Sequence, residues 1–139
     1  MKLRLSILIA ALGFLALLQT AQPLQAHHSF AAEFDADKPV TLEGEIVKMR
    51  WINPHSWLTI AVKSADGKVV EEEEWEVEFG LPASLYRRGW RKEDLPAGEP
   101  VTITGWRAKD GTNTANARSV KLSDGRSLFA GSSTAGQPE

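Results

Sequence analysis

Apolar residues recur at every second position through much of this chain, a period that specifies β-strands and disfavours amphipathic helices. In "HSWLTIAVKS", Leu58, Ile60 and Val62 share one face, and His55, Trp57 and Thr59 share the other. Asp66-Gly67 follows. Trp75, Val77 and Phe79 then alternate with Glu72, Glu74, Glu76 and Glu78. An Asp-Gly pair between two such runs marks a tight antiparallel hairpin, because both residues tolerate positive φ. The pairs Asp110-Gly111 and Asp124-Gly125 add two more turns.

The run "PVTLEGEIVKMRW" carries a further signal. Val40, Leu42 and Ile46 set one parity, and after Gly44 the alternation switches to Val47, Met49 and Trp51. A glycine followed by a parity switch predicts a bulge that bends a long first strand. "NPH" then ends that strand, since Pro54 offers no amide hydrogen and restricts Asn53 to extended backbone. The third strand is predicted over residues 69–79. Next comes "LPASLYRRG", which reads as a short helix with Pro82 at its first position, an apolar stripe of Leu81, Leu85 and Tyr86, and Gly89 at its end.

Two more strands fall at residues 100–107 and 115–122, and the last Asp-Gly turn brings Leu128 and Phe129 back to cap the core. Three strands, a helix and two strands predict a mainly β fold. It is a small five-stranded OB-like Greek-key barrel with one short helix between strands 3 and 4. An open β-sandwich and a meander with one helix are the alternatives. Closure leaves fewer exposed strand edges, which suits a small chain with no cysteine to form a disulfide staple.

Residues 1–26 have the layout of a cleaved secretory signal peptide. Lys2 and Arg4 precede a 14-residue apolar run at residues 5–18, short of the ~20 a membrane-spanning helix needs, and a polar stretch ends at Ala26. A cut after Ala21 is the alternative site. The expected organisation is therefore a leader over 1–26, one barrel domain over 27–130 and a disordered Gly/Ser/Thr/Pro tail over 131–139. Losing the leader takes the basic count from 16 to 14 against 18 acidic residues, a formal net charge of −4. That balance argues against nucleic acid as a partner. The expected location is the periplasm, with no integral membrane segment after processing.

Cleavage after Ala26 would make His27 the first residue. Its free amine and its ring Nδ1 can then chelate one metal ion, and His28 and His55 can supply further nitrogens. For such donors affinity among divalent ions peaks at copper, with zinc second. Met49, Trp51 and Trp57 lie near His55 in sequence and are candidates to surround a metal or to stack on a ligand. The opposing reading is an exposed histidine terminus and a turn-closing His55, without metal.

The "EEEEWEVE" stripe reads as a solvated, edge-protecting face, because a hard-cation site needs a loop of spaced oxygen ligands. Trp51, Trp57 and Trp106 are out of phase with the aliphatic positions, so an outer face that stacks on a glycan, a peptide or a partner protein is the competing function. Trp90 sits beside Arg87, Arg88, Arg91 and Lys92, a patch that reads first as a solvated helix end and, as the alternative, as a contact for an anionic partner such as lipid head groups. Ser29 and Ser56 adjoin histidines, but adjacency is not nucleophile geometry. No phosphate-binding glycine loop is present. The chain reads as a non-enzyme, with copper-dependent oxidation as the minor alternative.

The segments "AHHSFAAEFD", "WINPHSW", "LPASLYRRGW" and "GWRAKDGTNTANARSVKLSDGR" resemble a family of small exported proteobacterial proteins whose domain has no assigned function. The resemblance spans nearly all of residues 27–139 and implies export and a single domain. It implies no reaction. A weaker similarity is to periplasmic OB-fold copper carriers that use methionine, histidine and tryptophan. This chain departs from them in having only Met49 after the leader. The combined expectation is copper carriage or sequestration, with an envelope protein as a further candidate partner.

Overall fold

A computed structural model describes residues 30–131; the leader, His27, His28, Ser29 and residues 132–139 lie outside the described residues. A single helical turn, α1 (Phe30–Glu33), leads into a 17-residue strand β1 (Phe34–Arg50). Then come β2 (Trp57–Ala65), β3 (Lys68–Glu78), helix α2 (Pro82–Arg87), a 3-10 turn (Lys92–Asp94), β4 (Pro100–Ala108), β5 (Thr114–Leu122) and a short β6 (Ser127–Phe129). The sheet runs β3-β2-β1-β4-β5-β6, and a parallel pairing of β3 with β5 closes β1 to β5 into a ring. All other neighbours are antiparallel. This is the OB-like order expected from the sequence, with β6 added along β5.

The bend in β1 lies where the parity switch places it. Register shifts occur between Glu43 and Gly44 and between Ile46 and Lys48 against β2. Gly44 is required there, because a Cβ would fall on the Ala61 carbonyl and 2.9 Å from Val62 Cα. The β2–β3 hairpin turns on Asp66 (φ 51°) and Gly67 (φ 75°), the two positive φ values a type I′ turn needs. Asp66 also ties the hairpin tip to the barrel. Its carboxylate accepts from the Thr41 amide at 2.8 Å and from Arg107 at 3.1 Å.

The interior is filled from alternating positions. Leu42, Leu58, Ile60, Val62, Val77, Ile103 and Val120 are buried in one cluster with Trp75 and Phe79. Leu85 of α2 plugs the end of that cluster. Leu81, expected in the helix's apolar stripe, is the N-cap residue and is 44% exposed, because the helix starts only at Pro82. Leu128 packs on the core as expected. Phe129 does not: on a three-residue edge strand the alternate position faces outward, and its ring lies under the Arg88 guanidinium at 4.3 Å.

Trp90 also differs from expectation. It is fully buried beside Phe79, and its indole N–H donates to the Phe129 carbonyl at 2.9 Å. Two of the neighbouring arginines are occupied with backbone: Arg88 donates to the Gly131 carbonyl, and Arg91 to those of Tyr86 and Trp90. The tryptophan among basic residues is therefore an anchor for the chain's last described turn, and it presents no ring to an anionic partner. Among the described residues no helix is long and apolar enough to cross a membrane.

Candidate functional site

At one end of the barrel the β1–β2 connection, residues 51–56, runs beside the end of β3. Its Asn53-Pro54 peptide is cis. The loop is anchored by backbone bonds, from the Ser56 amide to the Gly80 carbonyl and from the Phe79 amide to the Ser56 carbonyl. These bonds hold His55 against the last residues of β3. Its Nδ1 lies 2.9 Å from the Glu78 carboxylate. That is a close charge contact, although the oxygen sits off the line of a ring N–H hydrogen bond.

Glu78 ends the acidic stripe, but it does not share the stripe's environment. Glu72 and Glu74 are exposed, whereas Glu78 is 7% exposed. The difference comes from neighbours: β5 pairs with β3 only at Glu76, Val77 and Glu78, and the residue 51–56 loop covers the same end. Across that seam Asn116, also buried, donates its amide to Glu78 Oε1 at 3.4 Å. Glu76 accepts a 2.6 Å bond from the buried Thr59 hydroxyl and pairs with Arg50 at 2.7 Å. The reading of a solvated face holds for the middle of the stripe and fails at its end.

Two adjoining pockets open here. One of about 350 Å³ is lined by Glu33, Ile52, Asn53, Pro54, His55, Trp57 and Glu78. The other, about 490 Å³, lies between α1, Trp57 and the β4–β5 loop, with Lys109, Asp110 and Thr114 on its wall. Glu33 and Trp57 border both. The polar cost of the region is visible in its orphan atoms. Among the described residues, His55 Nδ1, Ser56 Oγ and Asn116 Oδ1 are the buried side-chain polar atoms without a hydrogen-bond partner. Such atoms each cost about 1–3 kcal/mol and call for an explanation.

The N-terminal turn is fixed beside these pockets. The Lys109 ammonium donates to the Ala31 carbonyl, and the Lys109 amide donates to the Glu33 carbonyl at 2.9 Å. The Phe30 ring stacks on Phe34 at 5.8 Å and meets the edge of Trp106 at 5.3 Å. Helix α1 thus lies at the end of the barrel that carries His55.

Of the residues singled out in the sequence, the structure brings His55 and Trp57 into one pocket. Met49 and Trp51 line neither pocket. Both pack against the core, and Trp51 stacks on Tyr86 at 5.3 Å. Trp106 is covered by Phe30, Trp75 by Arg107, and Trp57 is the tryptophan that faces a pocket. Ser56 Oγ makes no bond to His55, so there is no nucleophile–base pair at this loop. His27 and His28 lie outside the described residues. Among the described residues no three His, Asp or Glu side chains converge on a metal position. Glu33, Glu78 and Asn116 were not anticipated, because tertiary placement, not local pattern, brings them to His55.

No curated protein and no solved structure is found to match this chain. A family model does match, over residues 15–117, and the chain belongs to that family, a family of unknown function (DUF6152).

Proposed function

We propose that this is an exported copper-binding protein of the periplasm, acting in carriage or sequestration and not in catalysis. In this reading cleavage after Ala26 frees the His27 amine, which chelates the metal with the ring Nδ1; His28 and His55 complete the set. Zinc is the second metal. The observation that carries the proposal is the docking of α1: Glu33 and His55 line one pocket, and His28 and His27 precede Glu33 by only five and six residues. At no more than ~3.3–3.6 Å per residue, the terminus stays within reach of that pocket. One histidine beside one carboxylate is an incomplete set by itself, which suits a site finished by the residues before Phe30.

The test is copper titration of protein beginning at His27 against protein carrying one extra residue before it. The extended form is expected to bind markedly more weakly; equal affinity overturns the N-terminal chelate. Mass spectrometry of the exported protein gives the cut, and a start at Gln22 removes the reading altogether.

A second reading rests on Trp57. OB barrels bind ligands over strands 2 and 3 and the loops joining strands 1–2 and 4–5, which is where both pockets lie. A glycan or peptide stacking on Trp57 would use the same face without metal. Loss of oligosaccharide or peptide binding in W57A, with copper affinity at wild-type level in H55A, would favour it.

A further inference from the structure

Four of the chain's five tryptophans have a ring or a guanidinium against them. Trp51 has Tyr86, Trp90 has Phe79, Trp106 has Phe30, and Trp75 has the Arg107 guanidinium 5.0 Å from its centroid. Trp57 has neither among the described residues. Its half-buried indole is instead a wall shared by the pockets of about 350 and 490 Å³, so the two make one groove that crosses the start of β2.

The charge around that indole is unbalanced. Glu78 stands opposite Trp57 in the β2–β3 register, Glu33 borders both pockets, and Asp110 lies on the wall of the larger. Against these three carboxylates the groove has one lysine, Lys109, whose ammonium is already on the Ala31 carbonyl at 2.5 Å. The remaining basic side chain is His55, with Nδ1 2.9 Å from Glu78. Ile52 and Pro54 at one end and Ala108 at the other add apolar wall. An aromatic face ringed by carboxylates attracts a cation, and apolar walls cover the alkyl stem that carries it. A neutral sugar would gain the stacking and leave the excess negative charge unanswered, and an acidic ligand would be repelled.

We propose that the Trp57 groove receives an arginine or lysine side chain of an extended basic peptide segment, seated on the indole among Glu33, Glu78 and Asp110. The proposal rests on the second reading above, in which Trp57 is a binding surface, and it names the ligand class. Two pockets that meet at one ring suit a chain that continues past the seated side chain better than they suit a compact amine. The barrel already uses the same chemistry internally, where Arg107 lies over Trp75 and Arg88 over Phe129.

Amide and indole NMR of the full exported chain tests this with three probes: acetylated and amidated Gly-Gly-Arg-Gly-Gly, the same peptide with citrulline in place of arginine, and a neutral trimer of N-acetylglucosamine. W57F assigns the Trp57 indole signal. The arginine peptide is expected to shift that signal together with amides of residues 52–57 and 109–114, and to bind about 10-fold more tightly than its uncharged citrulline counterpart. Added salt should narrow the gap. D110N keeps an acceptor for its turn and removes one charge, so it is expected to weaken the arginine peptide by about 2- to 5-fold and leave the citrulline peptide unchanged. Equal affinity of the two peptides in the wild type overturns the cationic groove and leaves Trp57 standing as a binding surface. A shift of the Trp57 indole by the sugar trimer and by neither peptide overturns it in favour of a glycan. An indole signal unmoved by all three probes overturns the binding-surface reading and the proposal with it, and none of these three outcomes requires a variant to retain its fold.

Discussion

Glu78 and Asn116 face each other across the parallel seam where β3 meets β5, and the Asn116 amide donates to the Glu78 carboxylate. The seam is short, three residues on each strand, so its side chains matter more than in a long ladder. N116A leaves a buried carboxylate without that donor. The expected loss is about 1–3 kcal/mol of unfolding free energy, measured by urea denaturation. An unchanged midpoint would show that backbone pairing alone closes the barrel.

Two glycines set the curvature at which that closure is reached. A Cβ on Gly44 would fall on the Ala61 carbonyl, and one on Gly105 on the Asn116 carbonyl, with Ala117 Cα 3.2 Å away. Both obstacles are backbone, which cannot rotate aside. G105A is expected to destabilise by about 1–3 kcal/mol or more and to loosen amide protection in β5 first. Hydrogen exchange showing uniform loosening across the barrel would contradict that assignment.

How much of this was legible in the sequence follows from what each signal measures. Alternation reports which face a residue occupies, so Leu58, Ile60, Val77 and Trp75 are where their parity puts them, and Gly44 announces its bulge. Parity does not report what covers the outer face. Glu74 and Glu78 share a parity, yet one is exposed and the other sealed by a loop and a strand from elsewhere in the chain. The burial of Trp90 is hidden from the sequence for a related reason. Its basic neighbours suggested surface, but arginines can stay at the surface while donating to local carbonyls, and the indole between them goes inward. The histidine at residue 55 was legible as a candidate; its carboxylate partner was not.

Trp90 is the link between the helical segment and the chain's end. Its indole is the donor to Phe129, on the edge strand β6. W90F keeps most of the ring's volume and leaves the Phe129 carbonyl without that donor. A loss of about 1–3 kcal/mol is expected, with amide exchange quickening in residues 127–130. W90A removes the packing as well and is expected to cost about 3–5 kcal/mol.

Acid should act through two of the Asp-Gly turns. The Asp110 carboxyl is held below its ordinary value of 3.8, chiefly by the Thr112 backbone N–H and then by its hydroxyl. Asp124 is held below the same value, first by the Arg126 backbone N–H and then by its side chain. A carboxyl depressed in the folded state contributes stability that is present above 3.8 and is lost as pH falls through the folded value. Asparagine keeps an acceptor for the same turns but does not titrate. The thermal midpoint of D110N/D124N is therefore expected to fall less steeply with acidification below 3.8 than that of the wild type. Parallel slopes would place the acid response elsewhere.

The docking of α1 gives the sharpest separation between folding and function. Lys109 holds the turn in two ways, and only the side-chain bond to Ala31 can be removed by substitution; the backbone bond to Glu33 remains in K109A. Lys109 is exposed and packs no core residue, so the barrel is expected to unfold within about 0.5 kcal/mol of the wild type. The turn should nevertheless loosen. Phe30 lies against Trp106, so its release exposes that indole and shifts tryptophan emission to longer wavelength. If residues before Phe30 complete a metal site with His55, the same variant binds copper more weakly, because a freed terminus must be ordered again on binding. A red-shifted emission with wild-type copper affinity would show that the docked turn does not serve the site, whereas a parallel change in both ties the position of the N-terminus to the metal.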